Sequence, residues 1–580
     1  MWISRCNDQL DAIALAMTQT HGVADILARV LAGRGVGLNE VESFLEPRLR
    51  DLIPDPFTLQ DMERATERLA VAVARRETVA IFGDYDVDGA CSAALLADFL
   101  GRCSVPYLIH IPDRLTEGYG PNVEAIRDLR AKGAQLLVTV DCGTTGHEPI
   151  SEAKRLGLDV IVLDHHQAPE ELPVATVVVN PNRHDDLSGL GHLCAAGVVF
   201  LSLVALHRAL RQKNFWKGQA PPDLMASLDL VALATVADVV PLKGLNRAFV
   251  RQGLAVMRSR ARVGLVALID AAGLKDSPEA WHLGYLIGPR INAGGRIGDA
   301  ALGSRLLLTE DSGNATRLAE ELERLNRERQ HIEQLAVDEA LAEAEHYLSD
   351  NPQTILLQAF SPDWHAGVVG LIAARLKERF RRPAFAFTAS GENLATGSGR
   401  SVPGVDIGSA VRAALDAGIA VKGGGHGMAA GATVPLDKLG AFHKFLMQYL
   451  EKSGQRLEIE DILEIDATVT AGGAKPELLK VLAKAGPFGS GQPEPIFAFP
   501  NHRLVEAREV GTGGHIRVRL RAGDGATIGG IAFRAAGQPL GDALQSSVGE
   551  LVHAAGTLAI DRWGGSEKVD LRLTDIAKPE

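Results

Sequence analysis

Apolar and polar positions change rhythm several times along this chain. Between about residues 56 and 305, short runs of Val, Ile and Leu at 78–83, 105–111, 135–140, 158–163 and 174–179 alternate with amphipathic stretches. Runs so short and so continuously apolar read as strands buried on both faces, and a spacing of roughly 20–30 residues fits βαβ units in a parallel sheet. From Asn314 to Asp350 there is neither proline nor glycine, while Leu318, Leu322, Leu325, Ile332 and Leu335 recur at steps of three, four and seven. That pattern predicts one amphipathic helix, roughly 50 Å long at about 1.5 Å per residue, too long for one core and suited to a strut. Residues 351–452 predict a second α/β unit that ends in a glycine-rich loop. Later the period becomes two, as in His515-Ile516-Arg517-Val518-Arg519-Leu520, between glycine turns, which predicts a small β-barrel over 455–577. Residues 1–55 read as helical, with a turn at Gly33-Arg34-Gly35, and Pro47, Pro54 and Pro56 close them off. The expected class is α/β and multidomain: 1–55, 56–305, a connecting helix over 306–350, 351–452, and the barrel.

Bulk composition narrows this further. A chain of 580 residues exceeds one core, and 46% apolar content excludes disorder. Five scattered cysteines without a CxxC pair argue for a reducing compartment, against disulfides and against structural zinc. The N-terminus shows no basic segment followed by an apolar one, and the apolar stretch Leu228–Leu242 is interrupted by Asp229 and Asp238. A soluble, cytoplasmic protein without membrane contact is expected. The net charge of −12 counts mildly against nucleic-acid binding, although basic residues need line only one groove.

Three predicted strands end abruptly in charge: Asp84, Asp86 and Asp88 after the first, Asp141 after the third, Asp164-His165-His166 after the fourth. In a parallel sheet those ends share the carboxyl edge, where open α/β sheets hold ligands. So many carboxylates and imidazoles at one rim repel unless cations lie between them, and Asp with His but no thiolate suits Mn²⁺ or Mg²⁺. A two-metal site that hydrolyses phosphate esters follows. The plainer reading of the first triplet is a helix N-cap cluster, with Gly89 allowing a sharp turn into the helix. Asp238, alone in an apolar run, needs a partner, either a helix terminus or a metal. Gly423-Gly424-Gly425-His426-Gly427-Met428-Ala429-Ala430-Gly431 is either a tight turn or a cradle of backbone N–H groups for phosphates ahead of a helix. No Gly-Lys-Ser/Thr follows it, so ATP chemistry lacks support. Arg517, Arg519 and Arg521 share one strand face, either a solvated edge strand or a groove tracking a phosphate backbone.

Taken in order, Asp84-Tyr85-Asp86-Val87-Asp88-Gly89, Asp164-His165-His166, Leu193-Cys194-Ala195-Ala196-Gly197, the segment Gly288–Arg296, Trp364-His365-Ala366-Gly367-Val368-Val369-Gly370, Gly397-Ser398-Gly399-Arg400-Ser401 and the glycine-rich segment resemble the DHH phosphoesterase superfamily. Within it they resemble the bacterial RecJ single-strand-specific 5′→3′ exonucleases, over nearly the whole chain. The resemblance implies a ring-like enzyme: a DHH domain and a smaller DHH-associated domain joined by the long helix, then an OB-fold. It implies that Asp86, Asp88, Asp141, His165 and Asp238 ligate two Mn²⁺ or Mg²⁺ ions, with Asp84 close by and His166 facing the scissile phosphate. Arg114, Arg290, Ser398 and Arg400 match positions that hold a 5′-terminal phosphate. Gly424, Gly425 and His426, with the barrel arginines, are expected to contact nucleic acid. Larger members carry a further C-terminal domain, whose contacts are not implied here.

The expected activity is removal of mononucleotides from the 5′ end of single-stranded DNA in recombination and repair. The expected protein is a monomer that works beside single-stranded-DNA-binding protein and a helicase. Two rivals stand beside it. A DHH phosphodiesterase for short oligonucleotides or cyclic dinucleotides would have no use for the barrel, and a non-catalytic replication scaffold would not need the full carboxylate set.

Overall fold

The computed structural model describes every residue except 115, 454–461, 512, 562–566 and 580. The five apolar runs form strands Val79–Gly83 (β1), Tyr107–His110 (β2), Leu136–Val140 (β3), Asp159–Leu163 (β4) and Val177–Val179 (β5). They make one sheet in the order β2-β1-β3-β4-β5, and every pairing is parallel. Alternate residues enter two different cores. Ile81, Val138 and Ile161 join the larger one, while Phe82, Leu137, Val160 and Val162 join the one on the opposite face. Burial on both faces explains why the runs are continuous and not alternating.

Helices Val87–Arg102 (α1) and Ala195–Gln212 (α2) pack on one face of the sheet, Leu228–Ala237 (α3) packs on those helices and Gly244–Arg258 (α4) on α3, followed by Gly288–Ile297 (α5). Helix Ser312–Asp350 (α6) has 39 residues, about 58 Å at 1.5 Å per residue. Its first half packs Leu318, Leu322 and Leu325 into the core of the first unit, and its second half packs Ala336, Val337 and Ala340 into the second. Between the two halves the buried residues are polar: Asn326, Arg329 and Glu333. The strut is therefore a wall shared by two cores, with a polar node where they part.

The second unit contains strand Leu357–Phe360 (β6), helix Val369–Phe380 (α7) and strands Ala384–Ala389 (β7), Leu394–Arg400 (β8), Lys422–His426 (β9) and Ala429–Pro435 (β10). The sheet order is β9-β10-β8-β7-β6, with β6 parallel to β7 and the remaining pairs antiparallel. The glycine-rich segment is not a loop ahead of a helix. It is the β9–β10 hairpin, with Gly424 opposite Gly431 and Gly425 opposite Ala430. Three successive glycines carry no side chains to alternate, so the strand period is invisible there.

The C-terminal part contains Ala467–Thr468 (β11), Phe497–Val510 (β12), His515–Arg521 (β13), Thr527–Ala532 (β14), Leu551–Asp561 (β15) and Lys568–Ala577 (β16). Pairing of β12 with both β13 and β15 closes a five-stranded barrel in the order β12-β13-β14-β16-β15. Register shifts at Phe499/His502 and Leu504/Glu506 bend the long β12 so that it serves both neighbours. β13 is thus a central strand, not an edge. The expected barrel start at residue 455 lies outside the described residues.

The N-terminal segment is helical but also contributes a strand. Trp2–Ser4 pairs in parallel with Leu463–Ile465. Met17, Leu27, Val30 and Leu31 share one core with Phe497, Leu504 and Val552 of the barrel. Asp466 ties the two together through ion pairs with Arg5 (3.1 Å) and Arg34 (3.0 Å). Arg247 on α4, 1% exposed, donates to Phe44 O and Ala485 O, which joins the first α/β unit to both. Arg379 of α7 donates to Gln538, between β14 and β15, so the second unit also meets the C-terminal part.

Candidate metal centre and nucleic-acid cleft

Register builds the site. Gly83 pairs with Val140, Val140 with Leu163 and Leu163 with Val179. The next residues, Asp84, Asp141, Asp164 and Asn180, therefore fall in one row along the carboxyl edge. The order β2-β1-β3 makes the crevice beside β1 a topological switch point, the usual ligand position in such sheets. Asp141 takes a left-handed backbone conformation, φ 61°, with its N–H donating to Leu163 O. Strain of roughly 1–3 kcal/mol held at such a residue is typical of functional sites.

The two readings of the Asp84/Asp86/Asp88 triplet turn out to be compatible. Asp86 is the N-cap of α1, and its carboxylate accepts from Asp88 N (2.9 Å) and Gly89 N (3.1 Å). Gly89 is needed for a reason other than a sharp turn: a Cβ there would lie 2.4 Å from Asp84 O, so glycine lets that backbone lie against the helix. Asp88 points the other way, and its two carboxylate oxygens accept from Ala195 N (2.6 Å) and Ala196 N (2.8 Å), the first amides of α2. This is the structural part played by Leu193-Cys194-Ala195-Ala196-Gly197. Asp238, partly buried, ends α3 as its C-cap residue and meets the imidazole of His165.

Three overlapping donor sets result. Asp84, Asp86 and Asp141 bring carboxylate oxygens within 4.8 Å of one another, and the ligand atoms of Asp88, His165 and Asp238, and of Asp141, His165 and His166, lie equally close. His165 Nε2 lies 3.3 Å from Asp141, 3.8 Å from Asp88 and 3.7 Å from Asp238. The arrangement places Asp84 in a candidate donor set with Asp86 and Asp141. Buried Asp84 Oδ1, Asp141 Oδ1 and His165 Nε2 have no hydrogen-bond partner among the described residues. Lone-pair donors buried without protons to accept fit a cation. Burial first, then mutual repulsion, pushes the carboxyls of Asp84, Asp141 and Asp238 well above the usual range. A divalent cation reverses that penalty.

His166, a member of the third set, is also held by a carboxylate outside all three. Asp164, buried, accepts from its Nδ1 at 2.8 Å and from its backbone N at 3.2 Å. Burial alone disfavours the imidazolium, but the bond to Asp164 and the nearby carboxylates win, raising His166 to about 9. Asp164 itself is held far below its ordinary value: burial opposes this, and the contacts with His166 and Thr144 outweigh it. Asn180 Nδ2 donates to His166 O and Asn182 Nδ2 to His165 O, fixing the two-histidine loop. Asp164 as an orienting acid and the two asparagines were not legible as site residues, although Asn180 also ends a predicted strand.

Across the cleft, β8 and β9 of the second unit present Ser398, Arg400 and His426. A Cβ on Gly370, in the first turn of α7, would lie 3.1 Å from Arg400 Nη2 and 3.5 Å from Ser398 Oγ. A hydroxyl, a guanidinium and a helix N-terminus meet there, an arrangement suited to an anion. Arg114 stacks 5.1 Å from the centre of the Tyr85 ring and faces Arg400. Arg296, which sequence reasoning missed, joins them: burial, then Arg114, Arg329 and Arg400, lowers it to about 10, and it donates to Gly367 O (2.9 Å). Arg290 does not join. It pairs with Glu323 at 2.6 Å and donates to Leu286 O, bracing α5 against α6. His426 is depressed by burial, then by Arg400 and His166, which puts it in electrostatic reach of both sides of the cleft. Gly424 has open space beside it.

The barrel arginines are partly matched by carboxylates. Arg517 pairs with Asp570 at 2.6 Å and Arg519 with Glu506 at 3.2 Å. By register they belong to a wider face: Arg503, Arg508, Arg517, Arg519, Arg521 and Arg572 surround those two carboxylates.

A parallel-sheet unit whose strand ends carry an Asp/His cluster, linked by a long helix to a second unit with a basic pocket, defines a DHH-type protein. The chain matches the DHH family, N-terminal domain, over residues 78–235, the DHHA1 domain over 353–452 and the RecJ OB domain over 465–575. It is 38% identical over 573 residues to the single-stranded-DNA-specific exonuclease RecJ of Dickeya dadantii, covering 95% of this chain and 96% of that one. It is 37% identical to the Escherichia coli protein of the same name, covering 88% and 89%. The crystal structure of RecJ in complex with Mn²⁺ from Thermus thermophilus superposes with a TM-score of 0.82 at 30% identity, over 100% of this chain and 79% of that one. The chain belongs to the RecJ family of single-stranded-DNA-specific exonucleases.

Proposed function

We propose that the chain removes mononucleotides one at a time from the 5′ end of single-stranded DNA, with two Mn²⁺ or Mg²⁺ ions. The observation that carries this reading is the pairing, across one cleft, of an acidic donor cluster with a basic pocket suited to a terminal phosphate. Asp84, Asp86 and Asp141 would hold one ion, and Asp88, His165 and Asp238 the other, with Asp141 between them. When bound, such ions supply an acidified water and neutralise charge on the phosphate under attack. His166, kept protonated by Asp164, donates a hydrogen bond to the phosphate or to the departing 3′ oxygen. Ser398, Arg400, Arg114 and Arg296 hold a terminal 5′-phosphate, which presents the next phosphodiester to the cluster and sets a 5′→3′ direction. The cationic barrel face receives the rest of the strand through backbone contacts, without sequence readout. Trimming of 5′ ends in recombination and repair, beside a helicase and single-stranded-DNA-binding protein, fits such chemistry, as does work as a cytoplasmic monomer.

The test is digestion of single- and double-stranded DNA labelled at either end, with Mn²⁺, Mg²⁺ or chelator, comparing 5′-phosphorylated with 5′-hydroxyl strands. Release of 5′ mononucleotides from single strands only, faster with the phosphate, is expected, and Arg400→Ala or Arg296→Ala should narrow that difference. Equal rates on both ends, or first release from the 3′ end, would remove the phosphate pocket from the reading.

A further inference from the structure

The segment Trp281–Gly288 runs between the acidic cluster and the barrel, and its aromatic side chains have no part in the chemistry above. Its middle, Leu283–Ile287, is a single turn of π-helix, a rare wide turn that recurs at functional sites. The inner side of the turn is fixed. Leu283 and Ile287 are buried. A Cβ on Gly284 would lie 3.4 Å from Val236, and one on Gly288 would lie 3.3 Å from Ala237 and 3.7 Å from Val87. Val236 and Ala237 directly precede Asp238, and Val87 stands between Asp86 and Asp88. The turn is thus braced on both elements that carry those carboxylates.

The outer side is different. Tyr285 is 82% exposed, a large ring in water on a rigid base. Val239, next to Asp238, is held at φ 60°, a conformation that costs a β-branched residue, and it too faces solvent. An aromatic ring and an apolar side chain therefore stand in solvent beside the elements that carry Asp86, Asp88 and Asp238. Trp281 then lines a groove of about 480 Å³, with Phe488, Leu558 and Arg572 on its barrel side. Arg572 belongs to the cationic face already described.

We propose that Tyr285 is a base-stacking platform for the substrate strand on the 3′ side of the scissile phosphodiester, and that Trp281 carries the track on toward the barrel. The inference rests on the reading of the chain as a single-strand exonuclease. A lone ring accepts the face of any base, so it adds hold without sequence preference. It also requires an unpaired base, because in a duplex both faces are already stacked.

The experiment uses the full chain and a 5′-phosphorylated oligonucleotide carrying 2-aminopurine at successive positions, bound in chelator so that it is not cut. One internal position should be quenched by the unmodified protein, recover its fluorescence with Tyr285→Ala and be quenched again with Tyr285→Phe. With Mn²⁺, Tyr285→Ala should raise KM about tenfold and leave kcat nearly unchanged. An abasic site at the quenched position should cost the unmodified enzyme as much, and the two losses should not add. Additive losses, or a quenching profile that ignores Tyr285, would overturn the proposal. If the unmodified protein does not digest single strands from the 5′ end, the underlying reading fails and takes this one with it. If it does and Tyr285→Ala matches it, only the stacking platform fails. Melting temperature separates lost binding from lost fold.

Discussion

Asp164 and His166 form a pair whose charges depend on each other, and the consequence can be signed. His166 is raised in the fold, so its share of stability is complete below the unfolded value near 6.5 and is lost as pH rises through about 9. Asp164 is depressed, so its share is present above about 3.9 and is lost as pH falls toward its lowered value. Asp164→Asn keeps an acceptor but removes the charge. In chelated protein the His166 resonance should then titrate closer to 6.5, read by NMR. In the Mn²⁺-loaded enzyme kcat should fall about 10²-fold at pH 8 and much less at pH 6, where the ring is protonated in both proteins. A loss independent of pH would mean that Asp164 only shapes the loop. The clustered carboxylates shift in the direction opposite to Asp164 and share the sign of His166. Asp84, Asp141 and Asp238 are raised, so the chelated protein binds more protons folded than unfolded and loses stability as pH rises above about 4. Mn²⁺ should therefore raise Tm more at pH 8 than at pH 5.5, and Asp141→Ala should abolish cleavage and much of that increment. The acids and histidines were legible in the sequence because each follows an apolar run. Arg296 and Asn182 were not, since their partners lie far along the chain or follow no strand.

At the scale of elements, the position of Asp238 depends on how α3 meets α4. A Cβ on Gly253 of α4 would lie 2.2 Å from Leu228 O and 2.3 Å from Ala232 Cβ, so the helices touch backbone to backbone. Gly253→Ala must push α3 away. It should destabilise by roughly 1–3 kcal/mol, as overpacking does, and lower kcat through displaced Asp238, although residue 253 touches no candidate ligand. Urea unfolding and single-turnover rates would measure the two effects, and an unchanged rate would show that α3 carries Asp238 rigidly through the shift. Strands and the long helix were readable because burial imposes a period on side chains. The β9–β10 hairpin was not, because glycines carry no period. β13 showed its alternation but not its neighbours, so its central place in the barrel had to come from the fold.

Over the whole molecule, net charge and local charge part company. The chain carries −12 overall, while the outer face of β12, β13, β14 and β16 gathers arginines. Those already paired should matter least for DNA: Arg517→Ala leaves Asp570 without its partner and should lower Tm more than affinity. Neutralising Arg503 and Arg521 together, which lie opposite each other in register, should instead flatten the log–log salt dependence of binding to long single strands, by roughly 0.7 per lost phosphate contact. An unchanged slope would place the strand on another face. The excess of positive charge on this face was hidden in the sequence, since its arginines come from three strands, β12, β13 and β16, that only the fold sets side by side.

The strand pair between Trp2–Ser4 and Leu463–Ile465 also sets an order of events in synthesis. Met17, Leu27, Val30 and Leu31 complete their burial against barrel residues such as Phe497 and Val552. At roughly 5–20 residues per second, the barrel strands reach completion about 25–100 s after the first helices leave the ribosome. The sheet of the first α/β unit has no such wait, since all its strands come from 79–179. The first residues made are thus among the last to fold. Throughout that interval their apolar face is open to chaperones, and every unfinished chain shorter than the barrel displays it.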